Sequence, residues 1–385
     1  MEESITSNNT NNNKTSYNGI YMFFIAVIVI FATINIYEFA FGIDDRDVQG
    51  LAKMSLLENQ AVTTWGGLQK LLGKSEAYGS TEYGDVALMD NGYAFMPETG
   101  SDVSPMIDGM MGANELADEI DANFIYVQGP VKQLHREGYP EGVIDCSIEK
   151  YDAMIAALDK NEINYIDMRT VLESTDTEWF DYFYKSDHHW RNRAAFLAYK
   201  EICNKMLIDG ISIDEELLNE EAYNIMEYKD VFLGSHGRMA GPWYTGLDDY
   251  ELYLPKKASA YRVTVPSIDE IKEGTFEECF VHYENLEKYS YDYYAYYTYL
   301  KEDYELIEIE NLDNTDGPSV VVVRDSSAVP VCSFLAGQCK EIDMIDLRYL
   351  ESLDAVSYIR EKNPDYIIYI FGTGYLGDPE ASMLR

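Results

Sequence analysis

Ser319-Val320-Val321-Val322-Val323-Arg324-Asp325-Ser326-Ser327 runs from four consecutive valines into a charged, hydroxyl-rich tip. The unbroken apolar run reads as a buried strand, and a serine at the carboxyl end of such a strand lies where open α/β sheets place their ligands. Similar signals recur on both sides of it. Phe124-Ile-Tyr-Val127 is a short strand ending at Gln128-Gly129-Pro130, and residues 165–168, 342–347 and 365–371 read as further strands. Helical periodicity separates them over residues 114–123, 148–161, 192–209 and 350–362. Strands and helices alternating at this spacing predict an α/β fold with a mostly parallel sheet flanked by helices. Residues 43–79 read as mostly helical, residues 83–95 as a hairpin turning at Asp90-Asn91-Gly92, and residues from about 215 to 310 as an insertion or lid. No internal repeat is visible.

With 385 residues, 46% apolar and 14% aromatic, the chain can bury one large core or two modest ones. Its 68 acidic and 29 basic residues give a formal charge of −39, which excludes a nucleic-acid partner held through phosphates. Most of these carboxylates read as solvated surface. Five cysteines, Cys146, Cys203, Cys279, Cys332 and Cys339, show neither a Cys-x-x-Cys pair nor a metal-ligand spacing, and they define no disulfide framework.

The first 19 residues are polar, and Ile20 to Phe41 form an apolar stretch without amphipathic period. Its length predicts a transmembrane signal anchor over residues 20–42, with Asn35 and Glu38 near the interface. A cleaved signal peptide is the alternative, since Ala40 and Gly42 offer small residues for a cleavage site. Flanking charge is sparse, with Lys14 before the span and Arg46 after it. The short tail predicts residues 1–19 in the cytoplasm and 43–385 outside it, in a protein of the cell membrane.

The densest chemistry is Tyr182-Phe-Tyr-Lys-Ser-Asp187-His188-His189-Trp190, which holds two of the chain's five histidines. A carboxylate two residues before a histidine can fix one imidazole nitrogen as donor and leave the other free as a base, two members of a nucleophilic triad. The loop precedes the helix predicted from Asn192, and Trp190 can wall off water. Ser326 supplies the third member, with Ser327 as the alternative; Ser326 is preferred because it directly follows the aspartate. A helix opening at this serine would aim backbone N–H groups at a developing oxyanion. A capping serine and a satisfied structural histidine are the ordinary readings of the same residues. A metal site built on Asp187, His188 and His189 is a rival, but no second cluster completes a shell. No metal and no cofactor are expected.

Gly234-Ser235-His236-Gly237-Arg238 is a tight polar turn that offers a backbone donor to an oxyanion, with Arg238 to orient an acyl or sugar group. Seven tyrosines crowd residues 289–299, either as a sugar-stacking surface or as packing.

With those residues placed, the chain resembles the DHHW family of exported, membrane-anchored bacterial proteins. Through it the chain is similar to the SGNH-hydrolase-like domains of alginate and cell-wall O-acetyltransferases. The resemblance spans about residues 45–375 and rests on Tyr184 to Trp190, Phe232 to Arg238, Val323-Arg-Asp-Ser326 and Ile345-Asp-Leu-Arg348-Tyr349; weaker matches are residues 124–132 and 363–366. It implies Asp187 as orienting acid, His189 as base and Ser326 as acylated nucleophile, with His188 outside the triad. Gly234, Ser235, Arg238, Trp190 and Arg348 are the implied oxyanion and substrate contacts. Departures are Arg324 where such hydrolases carry glycine, Ser327 where an aromatic residue is frequent, and no counterpart of the oxyanion asparagine near Phe371-Gly-Thr-Gly374. The implied activity is O-acetyl transfer to a cell-surface or exported polysaccharide, with a multi-spanning membrane acyltransferase as acetyl donor. A carbohydrate acetyl esterase, a non-catalytic glycan-binding or assembly protein, and a metal-dependent phosphoesterase are the alternatives.

Overall fold

A computed structural model describes residues 22, 48–77 and 85–384, with side chains, apart from Met22, from residue 59 onward. The chain divides into residues 1–58 and a larger unit, 59–385. The stretch expected to anchor the chain, 20–42, lies outside the described residues except for Met22. Among the described residues no helix is long and apolar enough to cross a membrane.

The larger unit is built on an eight-stranded sheet. In chain order its strands are β1 (Asn123–Gln128), β2 (Tyr165–Asp167), β3 (Ala260–Val265), β4 (Glu270–Thr275), β5 (Leu306–Asn311), β6 (Ser319–Arg324), β7 (Glu341–Ile345) and β8 (Tyr366–Phe371). They lie side by side as β2-β1-β8-β6-β7-β5-β3-β4. From β2 to β7 every pairing is parallel, with Val323 opposite Ile345 on one side and Tyr369 on the other. From β7 to β4 every pairing is antiparallel.

The four valines of β6 are apolar without interruption because both faces of the sheet are covered. Val320 and Val322 belong to the core that also holds the buried faces of helices Asn192–Ile208 and Ala328–Leu335. Val321 and Val323 belong to the other core, shared with helices Ser104–Glu119, Ser147–Lys160 and Ala355–Lys362. Each such side chain contributes about 1.5–3 kcal/mol by leaving water. The strand is therefore a rigid base for the residues at its tip.

The sheet is parallel over five strands and antiparallel at its far edge, because part of the expected insertion joins it. Residues 260–311 supply β3, β4 and β5, whose period-two burial marks strands that cover a core on one side and meet water on the other. The hairpin expected at Asp90-Asn91-Gly92 is present, with Ala87 opposite Phe95 and Gly92 in the left-handed region at φ 87°. Two helices differ in length from the sequence reading. The one expected over 114–123 starts at Ser104, with Pro105 in its first turn. The one expected from 350 starts at Ala355, because Glu305 takes the amides of Glu351, Ser352 and Leu353 and Asp354 caps Ser357. All five cysteines are free thiols.

Candidate active site

The parallel strands end on one side of the sheet, and Ser326 stands just beyond β6. Its turn is tied to the neighbouring strand by Asp325, whose carboxylate accepts the Ser327 N–H and the Gly372 N–H, each at 2.8 Å. The Ser326 backbone N–H has no partner among the described residues, which leaves it free to meet a ligand.

His189 reaches the serine from the loop before helix Asn192–Ile208. A bridge between Phe183 and Trp190 closes that loop, and the Trp190 indole N–H donates to the Ser327 carbonyl at 3.0 Å. His189 Nε2 lies 2.7 Å from Ser326 Oγ, and Nδ1 lies 2.6 Å from Asp187 Oδ1. With the proton on Nδ1 directed at the carboxylate, Nε2 is the acceptor for the serine proton. The ring is also held on its faces. Tyr296 stacks nearly parallel at 3.6 Å between centroids, so His188, at 3.7 Å, packs on the opposite face.

Asp187 is buried, and four donors satisfy it. Oδ1 takes the His189 side chain and the His189 backbone N–H at 2.8 Å; Oδ2 takes the Ser235 N–H at 2.6 Å and the Tyr294 hydroxyl. Burial opposes its charge, but the two histidines and these hydrogen bonds hold its carboxyl well below the usual carboxylate range. Burial and the nearby Asp187 push the Tyr294 hydroxyl well above its ordinary value, so it stays a donor. His188 is pushed down, first by lost hydration and then by His189; since 47% of its side chain remains exposed, water moderates that shift. Neutral His188 pairs its Nδ1 with Ser235 Oγ at 2.8 Å.

Asp187, His188 and His189 offer ligand-type atoms within 4.8 Å of one another. Yet both Asp187 oxygens and both His189 nitrogens already have hydrogen-bond partners, so an ion would have to displace the relay. The donor set fits proton transfer better than metal binding.

The structure brings Asp187, His189 and Ser326 together. The expected oxyanion and substrate contacts have other partners. Gly234 presses so closely on Asp187 that a Cβ there would lie 2.3 Å from the aspartate's own, and its N–H donates to Ser186 Oγ at 2.9 Å. The Ser235 N–H is committed to Asp187, and Arg238 donates to the Tyr293 carbonyl at 2.7 Å while lying over the Tyr294 ring. These residues and Trp190 brace the triad. The Ser326 N–H, without a partner among the described residues, is available as an oxyanion donor.

The tyrosine run is plain in the sequence, but the members that reach the triad are set by the fold. Tyr294 donates to Asp187, Tyr296 stacks on His189 and donates to the Ser326 carbonyl at 3.1 Å, while Tyr289 and Tyr293 are exposed.

Arg324, bulky where a glycine was expected, points away from the reacting atoms. Its guanidinium pairs with Asp303 and lies 3.4 Å from Asp346, and Arg348 pairs with both aspartates, at 3.2 and 2.6 Å. Arg348 thus belongs to a four-residue ion network instead of standing free for substrate. Arg324→Met would leave two buried carboxylates with one cation. We expect a loss of about 3–5 kcal/mol of stability, read as a fall in the denaturation midpoint; an unchanged midpoint would refute the network's role.

Residues 124–228, which include Asp187 and His189 but not Ser326, match the family model described as SGNH hydrolase-like domain, acetyltransferase AlgX. Among solved structures, Bacillus cereus PatB1 with a sulfonyl adduct is 18% identical and aligns over 80% of this chain and 100% of its own, with a TM-score of 0.64. The two chains share a fold, and residues 124–228 are similar to an SGNH hydrolase-like domain. A DHHW family protein from Eubacterium siraeum is likewise 18% identical, over 80% of this chain and 99% of its own, at a TM-score of 0.61. The DHHW resemblance seen in the motifs of this SGNH-like chain is borne out. A comparison with curated proteins gives no match.

Proposed function

We propose that the protein is an O-acetyltransferase that acts on a cell-surface or exported polysaccharide through Ser326, His189 and Asp187. The observation that carries this reading is the continuous relay from Asp187 Oδ1 through His189 to Ser326 Oγ, with contacts of 2.6 and 2.7 Å. Ser326 Oγ attacks the carbonyl carbon of an acetyl ester as its proton passes to His189 Nε2. The donor's alkoxide then leaves with that proton, and acetyl-Ser326 remains. A glycan hydroxyl gives its proton to His189, attacks the acetyl group and releases the serine. Asp187 stabilises the imidazolium at both stages, and no step requires a metal or cofactor.

In this reading residues 1–19 are a cytoplasmic tail, 20–42 a signal anchor and 43–385 an extracytoplasmic domain. A multi-spanning membrane acyltransferase supplies the acetyl donor. The match to a domain described as an acetyltransferase supports the chemistry.

The test incubates the full chain in detergent with an activated acetyl ester and polysaccharide fragments, with mass spectrometry of both products. Acetylated glycan is the expected result. Free acetate alone would make water the acceptor and the protein an esterase. Absence of both products, together with failure of a sulfonyl fluoride to modify Ser326, would overturn acyl transfer.

A further inference from the structure

The loop that carries Asp187 runs between two buried charges that do not touch each other. On one side is Lys132, just after β1, with almost no solvent exposure. Its ammonium donates to the carbonyls of Ala94 at 2.8 Å, Tyr184 at 2.5 Å and Lys185 at 3.5 Å, and to the carbonyl of Asp187 itself. On the other side is Asp248, equally buried, at the start of the strand Asp248–Pro255. Its carboxylate accepts the Lys185 N–H at 2.6 Å, the Ser186 N–H at 2.8 Å and the Ser186 hydroxyl at 2.6 Å.

We propose that Lys132 and Asp248 are positioning residues, a cation and an anion that grip the Tyr184–Asp187 backbone by its carbonyls and amides and hold Asp187 in line with His189. The inference rests on the acyl-transfer reading and extends it to how the triad is kept in register. Peptide dipoles between opposite charges gain on both sides, and in a dry interior the gain is far larger than in water. Three chain segments distant in sequence are joined this way: the end of β1, the histidine loop and the excursion between Asn192–Ile208 and β6. Because Lys132 holds the main-chain oxygen of the residue whose side chain enters the relay, its loss moves the carboxylate as well as the loop.

Packing alone does not explain a lysine at this position. Burial pushes the Lys132 ammonium down to about 8, with Asp248 and then Asp187 acting against the fall; His236, His188 and Tyr93 are further titratable groups close by. Burial likewise raises Asp248 above the ordinary carboxylate range, against the hydrogen bonds from Ser186 and Lys185. Two groups held at such a disadvantage, each making several short bonds to one four-residue loop, are retained for what they do to that loop.

The experiment compares the full chain with Lys132→Met, Asp248→Asn and the double variant, which removes both charges. Steady-state rates are normalised to sites titrated by a sulfonyl fluoride, and hydrogen exchange is followed at the amides of Lys185, Ser186 and His189. We expect Lys132→Met to lower kcat about 100-fold with KM nearly unchanged, as a misplacement on the order of 1 Å would. We also expect it to speed exchange at those amides at least about tenfold while β6 keeps its protection. Asp248→Asn, which preserves shape, should lower kcat about tenfold and carries the test if Lys132→Met fails to fold. A lower melting temperature with unchanged kcat per titrated site and unchanged loop exchange would overturn the proposal. A wild type without turnover or labelling would sink the acyl-transfer reading, and the exchange measurement would still decide the grip on the loop.

Discussion

Ser326→Ala is expected to lower acetyl-ester turnover by roughly four to six orders of magnitude and to abolish both the acetyl and the sulfonyl adduct. The hydroxyl is the only atom removed, and it is the one 2.7 Å from His189 Nε2. Folding should be little affected, since the bonds that hold the turn come from Asp325, from main-chain atoms and from the Trp190 and Tyr296 side chains. Ser327→Ala is the paired control. The Ser327 carbonyl, not its hydroxyl, receives Trp190, so this variant should keep turnover within about threefold. Intact-mass measurement after labelling separates the two serines directly. Adduct formation on Ser326→Ala but not on Ser327→Ala would reverse the assignment.

That contrast between adjacent serines shows how far the sequence reaches. Four valines running into Arg-Asp-Ser identify a doubly covered strand and its tip, because burial on both faces favours an unbroken apolar run. Asp187-x-His189 is legible for a similar reason, since a two-residue spacing lets a side chain meet both the backbone N–H and the ring of the same histidine. Tyr294 and Tyr296 were not legible in this way. They come to the triad on a long excursion whose path depends on antiparallel pairings among β3, β4, β5 and β7, and pairing between distant strands leaves no local signal. The same excursion reads as an insertion in sequence because its alternating strands differ from the unbroken runs beside them. Arg324 misled for another reason. A large residue before Asp-Ser argues against close approach only if its side chain faces the ligand, and here it is drawn to Asp303 and Asp346. The Gly234 turn packs against Asp187, and its role depends on which N–H groups are free, which sequence does not record.

Asp187→Asn is expected to cost roughly 10⁴-fold in kcat while the protein stays folded, and the reason is a count of donors. The carboxylate accepts two N–H groups on Oδ1, and on Oδ2 an N–H group and the Tyr294 hydroxyl. An asparagine offers one acceptor atom and one donor atom. If its oxygen faces His189, the amide nitrogen meets the Ser235 N–H, which cannot turn away. If its nitrogen faces His189, it meets the backbone N–H there and forces the ring proton onto Nε2, where the imidazole can no longer accept from Ser326. Either orientation leaves a buried donor opposed, worth about 1–3 kcal/mol of stability, and the second also removes the base. The pH dependence separates this from simple charge loss. Because the folded value of Asp187 is depressed, the stability it contributes is present above its unfolded value and is lost only as pH falls through the folded one. Between about pH 5 and 9 the charge on Asp187 itself is therefore constant, and the stability deficit of the asparagine variant should persist across that window. Denaturation midpoints at several pH values would test it, and a deficit that vanishes within the window would mean that Asp187 is not the permanently ionised partner the relay requires.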